Sequence, residues 1–392
     1  LISHGIDVTI GSDISKIKNA DLVVYTAAIP KDDVELVEAN KLGIKTCERA
    51  VFLGKLTEAF RETIGVSGTH GKTTTTSLVS LCFIKAGLDP NVQVGAILKQ
   101  LEGNYRIGKS DYLILEACEY VESFLKFYPK TEVILNIDND HLDYFKDLEH
   151  IILAFKKYVK LLPSNGLLIM NADDKNSIAL DTYTDAKVIK FGINNLNANF
   201  TAKNITYNNS GCATYDVFMD GDFFDSFTLS ISGTHNIYNA LACIALCHEY
   251  NISNSAIKEA FSSFTGANRR MEYKGTCNRA KIFDDYAHHP TEIKATSEAL
   301  NRKEFNESFV IFQPHTYSRL KNLLDEFADS LLNFDHIIIT DVYAAREKNV
   351  YNITSKDLVD KIESLGKHVE YIPNFEDIVK YLKDNVHEND II

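Results

Sequence analysis

No two of the seven cysteines, at 47, 82, 118, 212, 243, 247 and 277, form a C-x-x-C pair. That absence argues against a zinc ribbon or a thiol redox motif. Cys243 and Cys247 lie four apart on a predicted helix with no partner ligands clustered nearby. They are read as two small buried side chains, not a metal site. The odd count and irregular spacing suit a reducing compartment. No apolar stretch reaches membrane-spanning length and no signal peptide is visible, so the expected location is the cytoplasm. Internal repeats and low-complexity segments are also missing. Positive charge is in short supply: 41 Lys+Arg face 54 Asp+Glu, a net charge of −13 spread along the chain. This argues against nucleic acid as a partner, which needs basic patches. It does not argue against a nucleotide, which backbone N–H groups, one lysine and Mg²⁺ can hold.

What is present is a succession of α/β units. A chain of 392 residues is too long for one ordinary core, so two or three domains are expected. Residues 1–57 hold two short apolar strands, 21–26 and 44–47, around a helix at 32–40. The pattern restarts near Glu62 with a strand at 63–67, a glycine turn, and a helix from Thr74 to Ala86 closed by Gly87. Continuous apolar runs at 112–115, 132–137 and 167–170 read as parallel strands buried on both faces. Between about 186 and 232 short strands with Asn/Gly turns suggest an antiparallel patch, followed by a helix from Asn236 to about Tyr250. A third unit begins near Gly266, with strands at 281–284, 309–312, 336–340 and 368–372 joined by helical crossovers. Thr354-Ser-Lys-Asp357 has the form of a capping box. The expected domains are 1–57, 58–265 and 266–392. The chain opens on Leu1 and closes on Asn389-Asp-Ile-Ile392, which reads like the start of a buried strand, so sequence is expected to be missing at both ends.

The strongest local signal is Gly68-Thr-His-Gly-Lys-Thr-Thr-Thr-Thr76. A strand feeds a glycine turn, which feeds a helix N-terminus whose free N–H groups and dipole make an anion site. Gly68 and Gly71 let backbone approach phosphate, Lys72 can reach the β- and γ-phosphates, and the Thr73 hydroxyl can ligate Mg²⁺. Four consecutive threonines disfavour a helix interior, which makes a bare capping role a poor account of the composition. Val66 stands where the common phosphate loop has its first glycine. Glu116 and His141 each follow an apolar strand, at the edge where open α/β sheets bind ligands. Glu116 suits Mg²⁺ or is a solvated strand end. His141 is a less usual Mg²⁺ ligand, and the residue alone favours a structural role.

Several further segments occur in order: EACEYVESF at 116–124, LNIDNDHLDYF at 135–145, GTHNIYNALA at 233–242, NRRMEYKG at 268–275, DDYAHHPTEI at 284–293, FQPHTYSRL at 312–320 and DVYAAREK at 341–348. With these, and with the shorter G-T-x-G-K-T-T loop, the chain resembles the Mur ligase family over nearly its whole length. Its motifs are nearest those of the alanine-adding branch.

The resemblance implies a three-domain architecture. A partial Rossmann-like N-terminal domain binds the UDP substrate, a central phosphate-loop ATPase domain carries a parallel sheet with a small antiparallel patch, and a Rossmann-like C-terminal domain binds the amino acid. It implies an ATP-dependent ligase that joins L-alanine to UDP-N-acetylmuramate through an acyl phosphate, as a monomer or homodimer, in peptidoglycan precursor synthesis. ATP would meet Gly68, Thr69, His70, Gly71, Lys72, Thr73 and Thr74, with Asn236 and Asn239 on the adenine, Arg270 on the γ-phosphate and Asp285 on the ribose. Thr73 and Glu116 would share one Mg²⁺, and His141 would bind a second. Tyr286, His288, His315 and Arg319 would surround the alanine and the lactyl group. Lys72, Glu116, His141, Arg270 and His288 would carry catalysis. His235 is either part of the adenine site or a helix-start residue packing the turn. Thr316 replaces an arginine of some relatives, which leaves Arg319 for the alanine carboxylate. Gly11-Ser12 stands where relatives often carry Gly-His. The glycine-rich turn that opens the first domain in relatives is not in this chain, implying an incomplete uridine-diphosphate site. Two alternatives stand beside this reading. A tripeptide-recycling ligase shares GTHGKTT but usually reads nearer EADEYD than EACEY. A phosphate-loop NTPase or silent nucleotide-binding module would lack an acceptor.

Overall fold

The threonine run that looked wrong for a helix is accommodated in part. Thr76 bonds back along the helix and Thr73 bonds Glu116, while Thr75 Oγ1 is buried without a hydrogen-bond partner. In the computed structural model, which describes every residue except 1, 3, 4, 143 and 346, α4 spans Lys72–Lys85 and is buried along most of its length. Thr76 Oγ1, Ser77 Oγ and Ser80 Oγ donate to the carbonyls four residues earlier, at 2.8, 2.7 and 2.7 Å. Hydroxyls bonded back to their own helix can be buried without an unmet donor. The helix can therefore lie beneath the sheet with its N-terminus at the sheet's rim.

Ahead of it, β1 (Leu22–Tyr25) pairs in parallel with β2 (Lys45–Glu48), flanked by α1 (Ile14–Ile17), α2 (Val34–Lys41) and α3 (Arg49–Thr57). The central sheet contains β3 (Glu62–Ser67), β4 (Asn91–Leu98), β5 (Gly103–Arg106), β6 (Tyr112–Glu116), β7 (Thr131–Ile134), β8 (Leu167–Asn171), β9 (Lys187–Gly192), β10 (Phe200–Tyr207), β11 (Cys212–Met219) and β12 (Asp222–Ser232). Their order across the sheet is β12-β11-β10-β9-β8-β7-β3-β6-β4-β5. From β10 to β4 every pairing is parallel.

The apolar strands alternate between two cores. Ile114, Val133 and Ile169 face a core with α4, α6 (Thr234–Glu249) and α7 (Asn254–Ser263). Leu113, Leu115, Ile134 and Leu168 face a core with α5 (Leu148–Val159). Sheets covered by helices on both faces have strands that read as unbroken apolar runs.

Two expectations need correcting. The antiparallel patch begins at the β10–β11 pair, because β9 extends the parallel sheet beside β8. The strand expected over 132–137 stops at Ile134, where the chain turns toward the rim. The structure adds β4 and β5, beyond Pro90, to the expected set.

The third unit contains β13 (Glu272–Cys277), β14 (Ala280–Asp284), α8 (Pro290–Leu300), β15 (Phe309–Phe312), α9 (Tyr317–Asn322), α10 (Leu324–Leu331), β16 (His336–Ile339), α11 (Ser355–Ser364), β17 (Glu370–Tyr371) and α12 (Phe375–Asn385). β15, β16 and β17 are parallel, and the capping box at Thr354 is formed. β14 departs from expectation by pairing antiparallel with β13. On its other side Ile391 bridges in parallel to both Lys281 and Ser308, so residues 390–392 join β14 to β15.

Candidate active site

The rim of the central sheet is where the polar side chains converge. Beyond β3 the chain turns through Gly68 (φ 137°) and Gly71 (φ 86°), backbone conformations that disfavour other residues. A Cβ on Gly71 would collide with Asn239 Oδ1, so glycine lets α6 approach the loop without displacing that side chain. Asn136 fixes the loop from the segment just beyond β7: its Oδ1 accepts from His70 N at 2.8 Å, and its Nδ2 donates to His70 O at 3.0 Å. Lys72 folds back over the loop. Its Nζ donates to Thr69 O at 3.0 Å and to Glu119 Oε2 at 2.9 Å. Burial opposes its charge, but Glu119, Cys118 and Glu116 together raise the lysine above its ordinary range. Glu119, 1% exposed, is a site residue that sequence reasoning missed. Its signal was present three places after Glu116.

Thr73 and Glu116 meet. Thr73 Oγ1 donates to Glu116 Oε2 at 3.0 Å, and Gly95 N donates to the same oxygen at 2.8 Å. A hydroxyl beside a carboxylate at a helix N-terminus is an oxygen donor set that fits Mg²⁺. His141 follows Asp140 in a left-handed conformation (φ 55°). Its Nε2 lies 3.9 Å from Glu119 Oε1, and its ring packs on Tyr120 with centroids 4.7 Å apart.

Two adjoining cavities open from this rim. The first, about 590 Å³, is lined by His70, Gly71, Thr73, Thr74, His235, Asn236, Asn239, Arg270 and Asp285 among others. Its size suits a small-molecule ligand. Asn239 Nδ2 donates to Asn236 Oδ1 at 3.0 Å, and Asn236 Nδ2 donates to Ser232 O at 2.7 Å, so part of each amide is already committed. His235 packs its ring against Gly233 at the helix start, and it also lines this cavity. Surrounding protein and then Arg270 push its pKa down to about 4. Asp285 accepts from Thr296 Oγ1, and burial pushes its pKa up.

The second cavity, about 660 Å³, is lined by Lys72, Glu116, His141, Tyr286, His288, His315 and Arg319 among others. Gly71, Thr73 and Arg270 line both cavities. His288 is pushed down to about 4, mainly by burial. The His315 ring stacks on Tyr343 at 5.6 Å. Arg319, expected to be free for a substrate carboxylate, already has one: Nη2 and Nε donate to Asp140 Oδ1 at 2.8 and 3.2 Å. Asp140 was not singled out from sequence. Ser318 N donates to Glu347 Oε2 at 2.9 Å, which gives the 341–348 segment a place in this wall. Arg346 of that segment and Asp143 of 135–145 lie outside the described residues.

The third unit closes against the loop after β7. His289 Nε2 is 3.1 Å from Asn139 O, and Thr291 Oγ1 donates to Asp138 Oδ2 at 2.7 Å. His70 bridges the seam, with Nε2 3.2 Å from Asp138 and Nδ1 3.4 Å from Glu292. Burial opposes its protonation, but the two carboxylates raise its pKa to about 9. Away from the cleft, the expectation that no further ligand clusters near Cys243 and Cys247 needs correcting, because the fold brings Cys82 within 4.8 Å of both. Cys82 Sγ of α4 lies 3.6 Å from Cys243 Sγ, and Cys243 Sγ lies 3.9 Å from Cys247 Sγ.

Comparison with known proteins gives matches along the whole chain. Residues 1–61 match the Mur ligase family, catalytic domain; residues 66–247 match the Mur ligase middle domain; residues 269–392 match the Mur ligase, glutamate ligase domain. A UDP-N-acetylmuramate–L-alanine ligase of Acetivibrio thermocellus is 47% identical over all of this chain and 84% of its own length. One from Clostridium beijerinckii is 44% identical over all of this chain and 85% of its own length. Among solved structures, the UDP-N-acetylmuramate–alanine ligase of Thermotoga maritima aligns with a TM-score of 0.84 at 28% identity, covering 100% of this chain and 85% of that one. A murein peptide ligase of Psychrobacter arcticus aligns with a TM-score of 0.73 at 25% identity, covering 100% and 86%.

Proposed function

Because this chain belongs to the Mur ligase family, we propose that it uses ATP to join L-alanine to the lactyl carboxylate of UDP-N-acetylmuramate, in peptidoglycan precursor synthesis. The observation that carries the reading is the pair of adjoining cavities. One runs from the phosphate loop to Asn236 and Asn239; the other runs from Lys72 and Glu116 to His288, His315 and Arg319. A nucleotide in the first would present its terminal phosphate to an acid and an amine in the second. A carboxylate is a poor electrophile, and phosphorylation gives it a leaving group. The amine then attacks the acyl phosphate, forming the amide and releasing phosphate.

In this reading the loop residues 68–74 hold the phosphates, with Lys72 leaving Glu119 for the γ-phosphoryl oxygens. Asn236 and Asn239 read the adenine, Asp285 the ribose, and Arg270 the γ-phosphate from the third unit. Thr73 and Glu116 hold one Mg²⁺ and His141 a second; the ions supply charge neutralisation on the phosphoryl oxygens. Tyr286, His288, His315 and Arg319 form the acceptor site, Arg319 exchanging Asp140 for the alanine carboxylate. Holding three reactants together removes up to about 7–11 kcal/mol of barrier. The three units 1–57, 58–265 and 266–392 serve the UDP-sugar, ATP and alanine respectively. No helix among the described residues is long and apolar enough to cross a membrane. We place the enzyme in the cytoplasm as a monomer or homodimer.

The test is phosphate release with ATP and UDP-N-acetylmuramate, with and without alanine, alongside borohydride trapping. Alanine-dependent release and the reduced lactyl alcohol are expected. Release that ignores both acceptor substrates would overturn the proposal in favour of a simple NTPase.

A further inference from the structure

Glu292 lines both cavities. We propose that it is a positioning residue that ties the phosphate loop to Arg270 and His288, so that the nucleotide side and the acceptor side of the cleft are set together. The inference rests on the ligase reading above and adds to it a residue with no assigned role.

The carboxylate is held in place by its own helix start. Glu292 is in the first turn of α8, where His289 is the N-cap. Its Oε2 accepts from His288 N at 3.0 Å, reaching back past the N-cap to the residue before it. That contact fixes the carboxylate's orientation and leaves Oε1 to face the cleft. Oε1 is 3.4 Å from His70 Nδ1 and 3.5 Å from Arg270 Nη1, while Oε2 is 3.5 Å from His288 Nδ1. These three partners come from the phosphate loop, the segment before β13 and the segment before α8. The side chain is only 14% exposed. A helix cap alone would not need a carboxylate flanked by two cationic groups, His70 of the phosphate loop and Arg270 of the third unit. A buried charge in a seam stays there at low cost only while its partners do. Loop, Arg270 and His288 are thus held in register by one group.

Removing the charge while keeping the shape should misplace Arg270 and His288 relative to the loop. The groups facing His70 are Glu292 and Asp138, with the His289 ring centroid 5.1 Å away and His235 also within electrostatic reach. Glu292→Gln keeps an oxygen for the His288 N–H but cannot pair with His70 or Arg270 as an anion.

The experiment uses the whole chain. Amide formation is followed in wild type, Glu292→Gln and Glu292→Asp, together with ATP affinity by calorimetry and the His70 ring titration by ¹⁵N NMR. Expected for Glu292→Gln are a kcat lower by about 100-fold, the scale of a small misplacement of reacting groups, near-normal ATP affinity, and His70 titrating at lower pH. Glu292→Asp should recover part of each. A Glu292→Gln enzyme with wild-type kcat, or with an unmoved His70 titration, overturns the inference. If the wild type makes no amide, the ligase reading fails, and the His70 titration still decides whether Glu292 makes the contact.

Discussion

Lys72 Nζ and Glu119 Oε2 lie 2.9 Å apart, with side chains only 12% and 2% exposed. The cation that the phosphate loop offers to a nucleotide is thus stored against a buried carboxylate. Lys72→Met should abolish turnover and also strand Glu119, costing about 3–5 kcal/mol of stability. Adding Glu119→Gln should return most of that loss without restoring activity. Urea unfolding of the four proteins gives the coupling. Strictly additive losses would show that the two charges do not depend on one another.

Thr73 and Glu116 share a hydrogen bond, whereas His141 stands beside Glu119. Glu116→Ala should raise the Mg²⁺ needed for half-maximal turnover by at least the roughly 10–100-fold that even outer-shell changes cost. His141→Ala should leave nucleotide affinity near normal and slow turnover. Mg²⁺ titrations of turnover and of ATP binding separate the two. Full turnover of His141→Ala at low Mg²⁺ would make His141 structural.

Gly71 and Gly87 both have positive φ, at 86° and 76°, but only Gly71 has a neighbour where a Cβ would go. Gly87→Ala should therefore cost only backbone strain, about 1–2 kcal/mol. Gly71→Ala should cost more and weaken ATP binding, because Asn239 must move. Thermal melts and calorimetry on both variants check this; equal losses of ATP affinity would contradict it.

His70 keeps its proton up to about pH 9, against an ordinary value of 6.5. Its pKa is higher folded than unfolded, so its contribution to stability is complete below about 6.5 and is lost as pH rises through about 9. The Tm difference between wild type and His70→Asn should shrink across that window. A difference that stays constant with pH would place the stabilisation elsewhere.

Sequence patterns served best where the cause was local. The phosphate loop, the apolar strands and the Thr354 box depend on residues a few places apart, and each is present. β9 was assigned to the antiparallel patch because turn residues follow it, although its partner, β8, is what decides its direction. β4 alternates buried Val92 and Val94 before Gly95 interrupts it, too short a signal beside Pro90. Glu119, Asp140 and Glu292 could not be ranked from spacing. Each gains its meaning from a partner 47, 179 or 22 residues away. The family resemblance marks Arg319 for a substrate carboxylate, but it cannot show that the folded chain sets Asp140 against it.

The pairing of Ile391 with Lys281 and Ser308 has a consequence for biosynthesis. During translation the central sheet can assemble once residue 263 has left the ribosome, since its strands and covering helices all precede that point. The third unit cannot zip β14 to β15 until residues 390–392 emerge. Domains generally fold in order of synthesis, so a nucleotide pocket with only its central wall should exist before its lid does. Nascent chains stalled after the central unit should already resist protease there, while residues 266–389 stay cleavable until residues 390–392 emerge.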